Sequence, residues 1–311
     1  MYLGIEIGGT KLQLGVGRGD GGPLVELVRR DVDQRRGAAG ILAQIEQVAL
    51  ELAGRYPLQG VGIGFGGPVD AAAGRVTTSH QVEGWDHWPL VEWCRKTTGL
   101  PATLGNDCDC AALAEACYGA GRGAKTVFYV TIGTGIGGGL VIDGKLHGAG
   151  RPAVAEIGHL RPGLNADHSH HTVESLASGP GIVAAAQRLL GDDLSRWLAD
   201  VRSGADSQPL TAKMIAQAAR QGNALASEVL EQAMQALGWA VAQVITLVAP
   251  HVIVLGGGVS LMGDDLFYEP VRRHVARYVF PPLLESYRIV PPCLGEEVVV
   301  HGAVALAALP R

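Results

Sequence analysis

Three groups of residues in this chain have the types and spacing to do chemistry on a phosphate. Gly105-Asn106-Asp107-Cys108-Asp109 sets two carboxylates behind an amide. Gly8-Gly9-Thr10-Lys11 and Gly133-Thr134-Gly135-Ile136-Gly137-Gly138-Gly139 are glycine and threonine turns. Glu156-Ile157-Gly158-His159 places an acid three residues before an imidazole, and Glu174 follows. Phosphoryl transfer asks for turns that approach the phosphates closely, a metal ion to spread charge, and a carboxylate that positions and deprotonates the attacking hydroxyl. Glycine leaves no Cβ in the way, so both turns can present N–H groups to a polyphosphate. Neither has the GxxxxGK[ST] spacing of a Walker A loop, and each taken singly is also an ordinary hairpin turn.

The elements that must hold these residues are legible from periodicity. Residues 3–16 read as two strands joined by a turn at Gly8-Gly9-Thr10, and residues 127–142 repeat that layout. Two copies of strand, Gly/Thr turn and strand imply a duplicated architecture whose turns face one cleft; two unrelated hairpins are the plainer alternative. Ile41–Arg55 has apolar residues at helical spacing, and Gly60–Gly66 is a short buried strand ending in Gly-Gly-Pro. Asp107 lies between the apolar stretch 100–104 and the helical run AALAEACYGAG, a strand-to-helix junction of the kind where active sites of α/β folds gather. An Asp or Asn there equally caps the helix. Carboxylates and imidazoles suit sugars because each accepts hydrogen bonds from hydroxyls, although EIGH alone is also a surface turn.

After a Gly/His-rich stretch at 147–181, the sequence from about Thr211 to Val248 is mostly helical. Within it Ala224–Val248 is apolar on more than one face and reads as a buried helix. His251–Leu255 is a strand running into Gly256-Gly257-Gly258, and Val298–Leu309 a final helix. No linker rich in Ser or Pro separates two halves, so crossing segments fit better than beads on a string.

Bulk properties narrow the function. With 311 residues and 47% hydrophobic side chains, the chain can bury two cores. The 45 glycines are roughly double the usual share and cluster beside apolar runs, which points to tight turns around a ligand. A formal net charge of −5 without a long basic run argues against nucleic acid as a partner. No apolar run reaches the roughly 20 residues that span a bilayer, and the first strand starts too early for a signal sequence. The five cysteines, an odd number with no CxxC pair, read as reduced thiols, so a cytoplasmic protein is expected.

Taken in order, the motifs resemble those of the ROK family of sugar kinases and sugar-responsive repressors, nearly end to end. GIEIGGTK is similar to the family's DxGGTK, and GIGFGGPVD and the GW of Gly84-Trp85 follow. GNDCDCAALAE is similar to NDANAAALAE; then come TIGTGIGGG, AEIGH, ESLASG, LGGGVS and HGAVALA. The resemblance implies an α/β, two-domain actin/hexokinase-like (ribonuclease H-like) fold with an interdomain cleft. Its N-terminal domain would be 1–108, completed by the helix 298–311, and its C-terminal domain 109–297. It implies phosphorylation of a hexose, glucose first, at its primary hydroxyl by ATP with Mg2+. Asp107 would be the catalytic base, and Gly67, Asn106, Asp107, Glu156, His159 and Glu174 would bind the sugar. Glu6, Gly9, Thr10, Lys11, Thr134 and Gly135 would serve the ATP phosphates, and Gly257 and Gly258 would flank the adenosine. A homodimer is expected, because dimers are frequent in the family.

The departures from the family pattern matter as much. Glu6 stands in place of the aspartate of DxGGTK, which pushes the carboxylate outward by one methylene, and Gln81 stands where many relatives have asparagine before the GW. Many ROK proteins carry a CxCGxxGCxE zinc motif, but counting back from Glu174 puts Asn165, Asp167 and Thr172 at its cysteines, so zinc is not expected. His168, His170 and His171 are nearby imidazoles that could ligate a metal, since imidazole is a common ligand; a solvated loop with incidental histidines is the plainer alternative. The alternatives are an N-acetylhexosamine kinase, a fructokinase, a phosphate donor other than ATP, or a non-catalytic sugar sensor. ROK repressors carry a DNA-binding helix-turn-helix ahead of the sugar domain, whereas here the phosphate motif begins at residue 4.

Overall fold

The computed structural model describes residues 1–79, 81–148, 151, 153–191 and 209–309. The chain divides into two compact units, one of Met1–Tyr129, Gly139–Ala155 and Pro292–Arg311, the other of Val130–Gly138 and Glu156–Pro291. In the first unit, β1 (Tyr2–Ile7), β2 (Lys11–Gly17) and β3 (Glu26–Asp31) form an antiparallel run. Helix α1 (Gly37–Arg55) leads to β4 (Gly60–Phe65), which joins β1 in parallel. The small hairpin β5 (Val69–Asp70) and β6 (Arg75–Val76) and helix α2 (Leu90–Thr98) then lead to β7 (Ala102–Asn106), parallel to β4. Helix α3 (Asp107–Cys117) follows directly.

A second sheet is built from β8 (Thr126–Ile132), β9 (Ile136–Ile142), β10 (Lys145–Leu146), β11 (Val252–Gly256) and β12 (Arg288–Val290). Between its strands come α4 (Val173–Ala177), α5 (Gly179–Leu190), α6 (Ala212–Arg220), α7 (Ala224–Val248) and α8 (Glu269–Tyr278), and α9 (Val298–Ala308) closes the chain. The sheets run β3-β2-β1-β4-β7 and β10-β9-β8-β11-β12. In each, the first hairpin carries the Gly/Thr turn and a later strand, reached through helices, adds to its first strand. The repeated layout read from 3–16 and 127–142 is therefore a repeated sheet topology.

One face of the first sheet carries Leu3, Ile5, Ile7, Leu12, Leu14, Val61, Ile63, Phe65 and Leu104, which share a core with Ile41, Ile45 and Leu52 of α1 and Leu90 of α2. The intervening positions, facing the other way as strand periodicity demands, are largely glycine. A Cβ at Gly4 would sit 2.5 Å from the Val300 carbonyl, one at Gly64 would sit 2.6 Å from Val299 Cγ1, and one at Gly62 would overlap the backbone of Ala303. Helix α9 thus lies on a bed of backbone. On its far side a Cβ at Gly302 would overlap the Cys110 carbonyl, so α3 and α9 also meet backbone to backbone. This packing keeps α3 in the first unit, and the expected boundary at 108/109 falls inside that unit. The closing helix ends at Ala308 instead of running to 311, since Leu309 precedes a proline and is extended; residues 310 and 311 lie outside the described ones.

In the second unit α7 is the buried helix expected from the sequence, enclosing Val229, Leu230, Met234, Leu237, Val241 and Ile245. Asn223 caps it, its side-chain oxygen accepting from the Ala226 N–H at 2.9 Å. Among the described residues, no helix is long and apolar enough to cross a membrane.

Candidate active site

The sheet-to-helix junction of the first unit places Asn106 and Asp107. Asn106 is the cap of α3: its Oδ1 accepts from the Cys108 N–H at 2.8 Å, while its Nδ2 donates to the Gly67 carbonyl at 2.9 Å. The capping role open to Asp107 is therefore filled mainly by its neighbour, although Asp107 Oδ1 also touches the Cys108 N–H at 2.9 Å. Asp107 Oδ2 lies beside Gly66, where a Cβ would stand 3.4 Å away. Burial pushes the Asp107 carboxyl up to about 6, with the Cys108 N–H opposing and the Glu6 charge adding to the rise. Such a group is ionised at neutral pH yet more basic than an ordinary aspartate, which is what a general base needs.

The first turn is held from behind. Gly8 N–H donates to the Lys11 carbonyl at 2.9 Å, Val32 N–H to the Thr10 carbonyl at 3.0 Å, and Gln34 Nε2 to the Gly9 carbonyl at 2.9 Å. The Gly9–Thr10 peptide is trans, so fixing the Gly9 carbonyl on Gln34 turns the Thr10 N–H the opposite way. A Cβ at Gly9 would overlap the Gln81 side chain, so the glycine is needed for that approach. Glu6, two residues before this turn, pairs with Lys11 Nζ at 3.5 Å. Burial raises its carboxyl, against the opposing pull of Lys11 and Gln13.

In the second unit the other candidates converge on Ile136. Glu174 Oε2 accepts the Ile136 N–H at 2.7 Å, and a Cβ at Gly135 would come within 2.7 Å of the same oxygen. Gly158 packs so closely that a Cβ there would overlap the Ile136 carbonyl, which seats the turn Glu156–His159 on the start of β9. Partial burial raises the Glu156 carboxyl, with His159 opposing and Glu174 adding. The turn itself is closed by Gly133 N–H to the Gly135 carbonyl at 2.9 Å and by Gly179 N–H to the Gly133 carbonyl at 2.8 Å. Gly257, at φ +88°, presses its backbone on Ile132, and Val259 N–H donates to the Ile132 carbonyl at 2.9 Å.

Gly133, Thr134, Gly179 and Gly258 together border a cavity of about 920 Å³. Pro180, Val183, Ala216, Leu261 and Met262 give it apolar walls, and Lys213 and Arg220 add positive charge. The N-terminus of α5 opens on it, capped by Ser178 Oγ accepting from the Gly181 N–H at 3.2 Å. A helix N-terminus and glycine N–H groups favour phosphate, and apolar walls favour a flat base. Sequence reasoning found the glycines of this cavity and missed its apolar walls. The available signal was Ser178-Gly179-Pro180, a helix start with proline in its first turn.

With this geometry in place, the decisive comparison is that the ROK family sequence model matches residues 2–309. The chain belongs to the ROK family. The glucokinase of Thermotoga maritima is 30% identical over 307 residues, covering 98% of this chain and 96% of that protein. A ROK hexokinase structure from Thermus thermophilus matches with a TM-score of 0.82 at 26% identity, covering 98% of this chain and 97% of that one. A ROK family glucokinase from Streptomyces griseus, in complex with glucose and AMPPNP, matches with a TM-score of 0.80 at 30% identity over 98% of each chain. The architecture is accordingly the two-domain, actin/hexokinase-like α/β fold.

Against the ROK cysteine pattern, Thr172 is a helix cap, its hydroxyl accepting from the Ser175 N–H at 3.2 Å at the start of α4. His168 and His170 stack at 5.5 Å between ring centroids, and His168 Nε2 lies 3.7 Å from Asp167. Among the described residues, no group of three or more His, Cys, Asp or Glu side chains is arranged to hold a metal. The structure thus gathers Glu6, Gly9, Thr10, Lys11, Gly67, Asn106 and Asp107 in the first unit, and Thr134, Gly135, Glu156, His159, Glu174, Gly257 and Gly258 in the second.

Proposed function

We propose that this protein, a sugar kinase, transfers the γ-phosphoryl group of ATP to the primary hydroxyl of a hexose, glucose first, with Asp107 as general base. The observation that carries the reading is Asp107 itself, a carboxylate raised to about 6 at the β7–α3 junction, next to Gly66. Its similarity to glucokinases, one of them holding glucose and AMPPNP, supports the choice of sugar and donor. Asp107 takes the proton as the hydroxyl oxygen attacks the γ-phosphorus and the bond to ADP breaks. Asn106, Gly67, Glu156, His159 and Glu174 orient the sugar. The turns at Gly9–Lys11 and Thr134–Gly135 hold the phosphates, and Gly257 and Gly258 border the adenosine. Glu6 is already engaged by Gln13 and Lys11, so phosphate oxygens and water are the donors that suit Mg2+, which spreads the phosphate charge when bound.

Two results test this reading. A base must be deprotonated to act, so kcat/KM for the hexose is expected to fall as pH drops through about 6, the Asp107 value, and to level above it. A profile flat from pH 5 to 8 would contradict the assignment. The second concerns Glu174, whose bond to Ile136 N–H makes it a strut of the phosphate turn as well as a sugar ligand. Glu174→Ala is expected to raise KM for ATP and for the hexose, each by about tenfold, the worth of one hydrogen bond to a charged group. Glu156→Ala is expected to raise the hexose KM alone. Steady-state kinetics with each substrate varied separates the two.

A further inference from the structure

Glu6 departs from the family's aspartate, and the structure contains a feature fitted to the longer side chain. Glu6, Gln13 and Arg29 are register partners on three adjacent strands, β1, β2 and β3, so their side chains form one row on the face that meets α9. On the other side of Glu6 the row continues into Gly64, which has no side chain to offer. Gln13 is fully buried, yet every polar atom of its amide is used. Its Oε1 accepts from Arg29 Nε at 2.9 Å, and its Nε2 donates to Glu6 Oε2 at 2.5 Å and to the Glu296 carbonyl at 3.2 Å. Arg29 is held in turn by Glu297, at 2.8 Å.

This arrangement admits one orientation of the amide. Reversed, it would set Oε1 against a carboxylate and a carbonyl, with Nε2 against the Arg29 N–H, leaving buried groups unpaired on every side. Lys11, the other partner of Glu6, is farther away at 3.5 Å and more than a third exposed, so it supplies charge without fixing direction. We propose that Gln13 is the positioning residue for Glu6: locked by Arg29 and the Glu296 carbonyl, it takes up the extra methylene and holds the carboxylate at the phosphate turn. The inference rests on the kinase reading only in giving Glu6 a task at the phosphates; the hydrogen-bonded row stands independently of it.

The test is a double-mutant cycle in the full-length protein. Gln13→Leu is expected to lower kcat with ATP and glucose by between about 10- and 100-fold, the effect of misplacing a group by roughly 1 Å, with the glucose KM nearly unchanged. Glu6→Asp, whose shorter side chain cannot reach Gln13, is expected to lose a similar factor, and the double variant little more than either alone. Multiplying losses would overturn the proposal. A second readout needs no turnover: the 13C carboxyl signal of Glu6, titrated in ligand-free protein, should move to a higher midpoint in Gln13→Leu, because a donor to the ionised form is gone. An unmoved midpoint overturns the positioning role. Should wild type show no turnover at all, the kinase reading fails while the titration still decides whether Gln13 controls Glu6. Gln13→Met provides a second apolar variant if Gln13→Leu does not fold.

Discussion

Asp107→Asn is expected to lower kcat by about 10²- to 10⁴-fold, the usual contribution of a general base, while the hexose KM changes little. Asparagine keeps the size of the side chain and its contact with the Cys108 N–H, so the loss isolates proton acceptance. The same substitution should separate activity from stability. The folded-state pKa of Asp107, about 6, lies above the ordinary 3.8, so between those values the folded protein binds more protons than the unfolded chain. Wild-type stability at this site is therefore greatest below that window and declines as pH rises through it. The asparagine variant has no such decline, and its thermal midpoint should gain on wild type from pH 4 to pH 7 and then hold a constant difference. Equal pH dependence in the two proteins would show that Asp107 is not raised.

Gly62→Val is expected to destabilise the first unit by more than about 3 kcal/mol and to lower the thermal midpoint by ~6 °C or more. A Cβ at position 62 would collide with backbone atoms of Ala303, which cannot rotate away as a side chain can. Helix α9 would have to lift off the sheet, and α3, which it touches at Gly302, would move with it. Since α3 begins at Asp107, turnover should fall along with stability. Gly54→Ala is the control: nothing lies within 4 Å of a Cβ there, and replacing glycine in a helix stabilises by up to about 1 kcal/mol. A Gly62→Val protein with an unchanged midpoint would contradict the packing described for α9.

The parts of the fold that were legible in the sequence are those specified locally. The turns at Gly8–Thr10 and Gly133–Gly135 interrupt apolar runs, and α7 is a long apolar run broken by a single glycine, Gly238, so each announces itself. The bed for α9 does not, because Gly4, Gly62 and Gly64 read as parts of apolar strands, and that they share one face shows only once the register across β1 and β4 is known. Alternate glycines inside an apolar strand were nonetheless a signal of close backbone approach. The division at 108/109 placed α3 with the residues that follow it in sequence, whereas its packing on α9 is a contact across the length of the chain.

At the candidate site, local spacing left Asp107 between cap and base, and the backbone geometry assigns most of the capping to Asn106. Glu174 carried no sequence mark of its bond to Ile136, which lies 38 residues away. The row Arg29, Gln13 and Glu6 was equally hidden, since three strands must first be set in register. Composition had no bearing on the apolar walls around Val183, Ala216 and Met262, which are drawn from three separate segments.

The most direct measurement is a coupled ADP-release assay of the wild-type protein with ATP and Mg2+ over a panel of hexoses, N-acetylhexosamines and fructose. The account predicts saturable turnover, highest with glucose. Calorimetric binding of a hexose without any release of ADP would contradict it and leave a sugar-binding protein in its place.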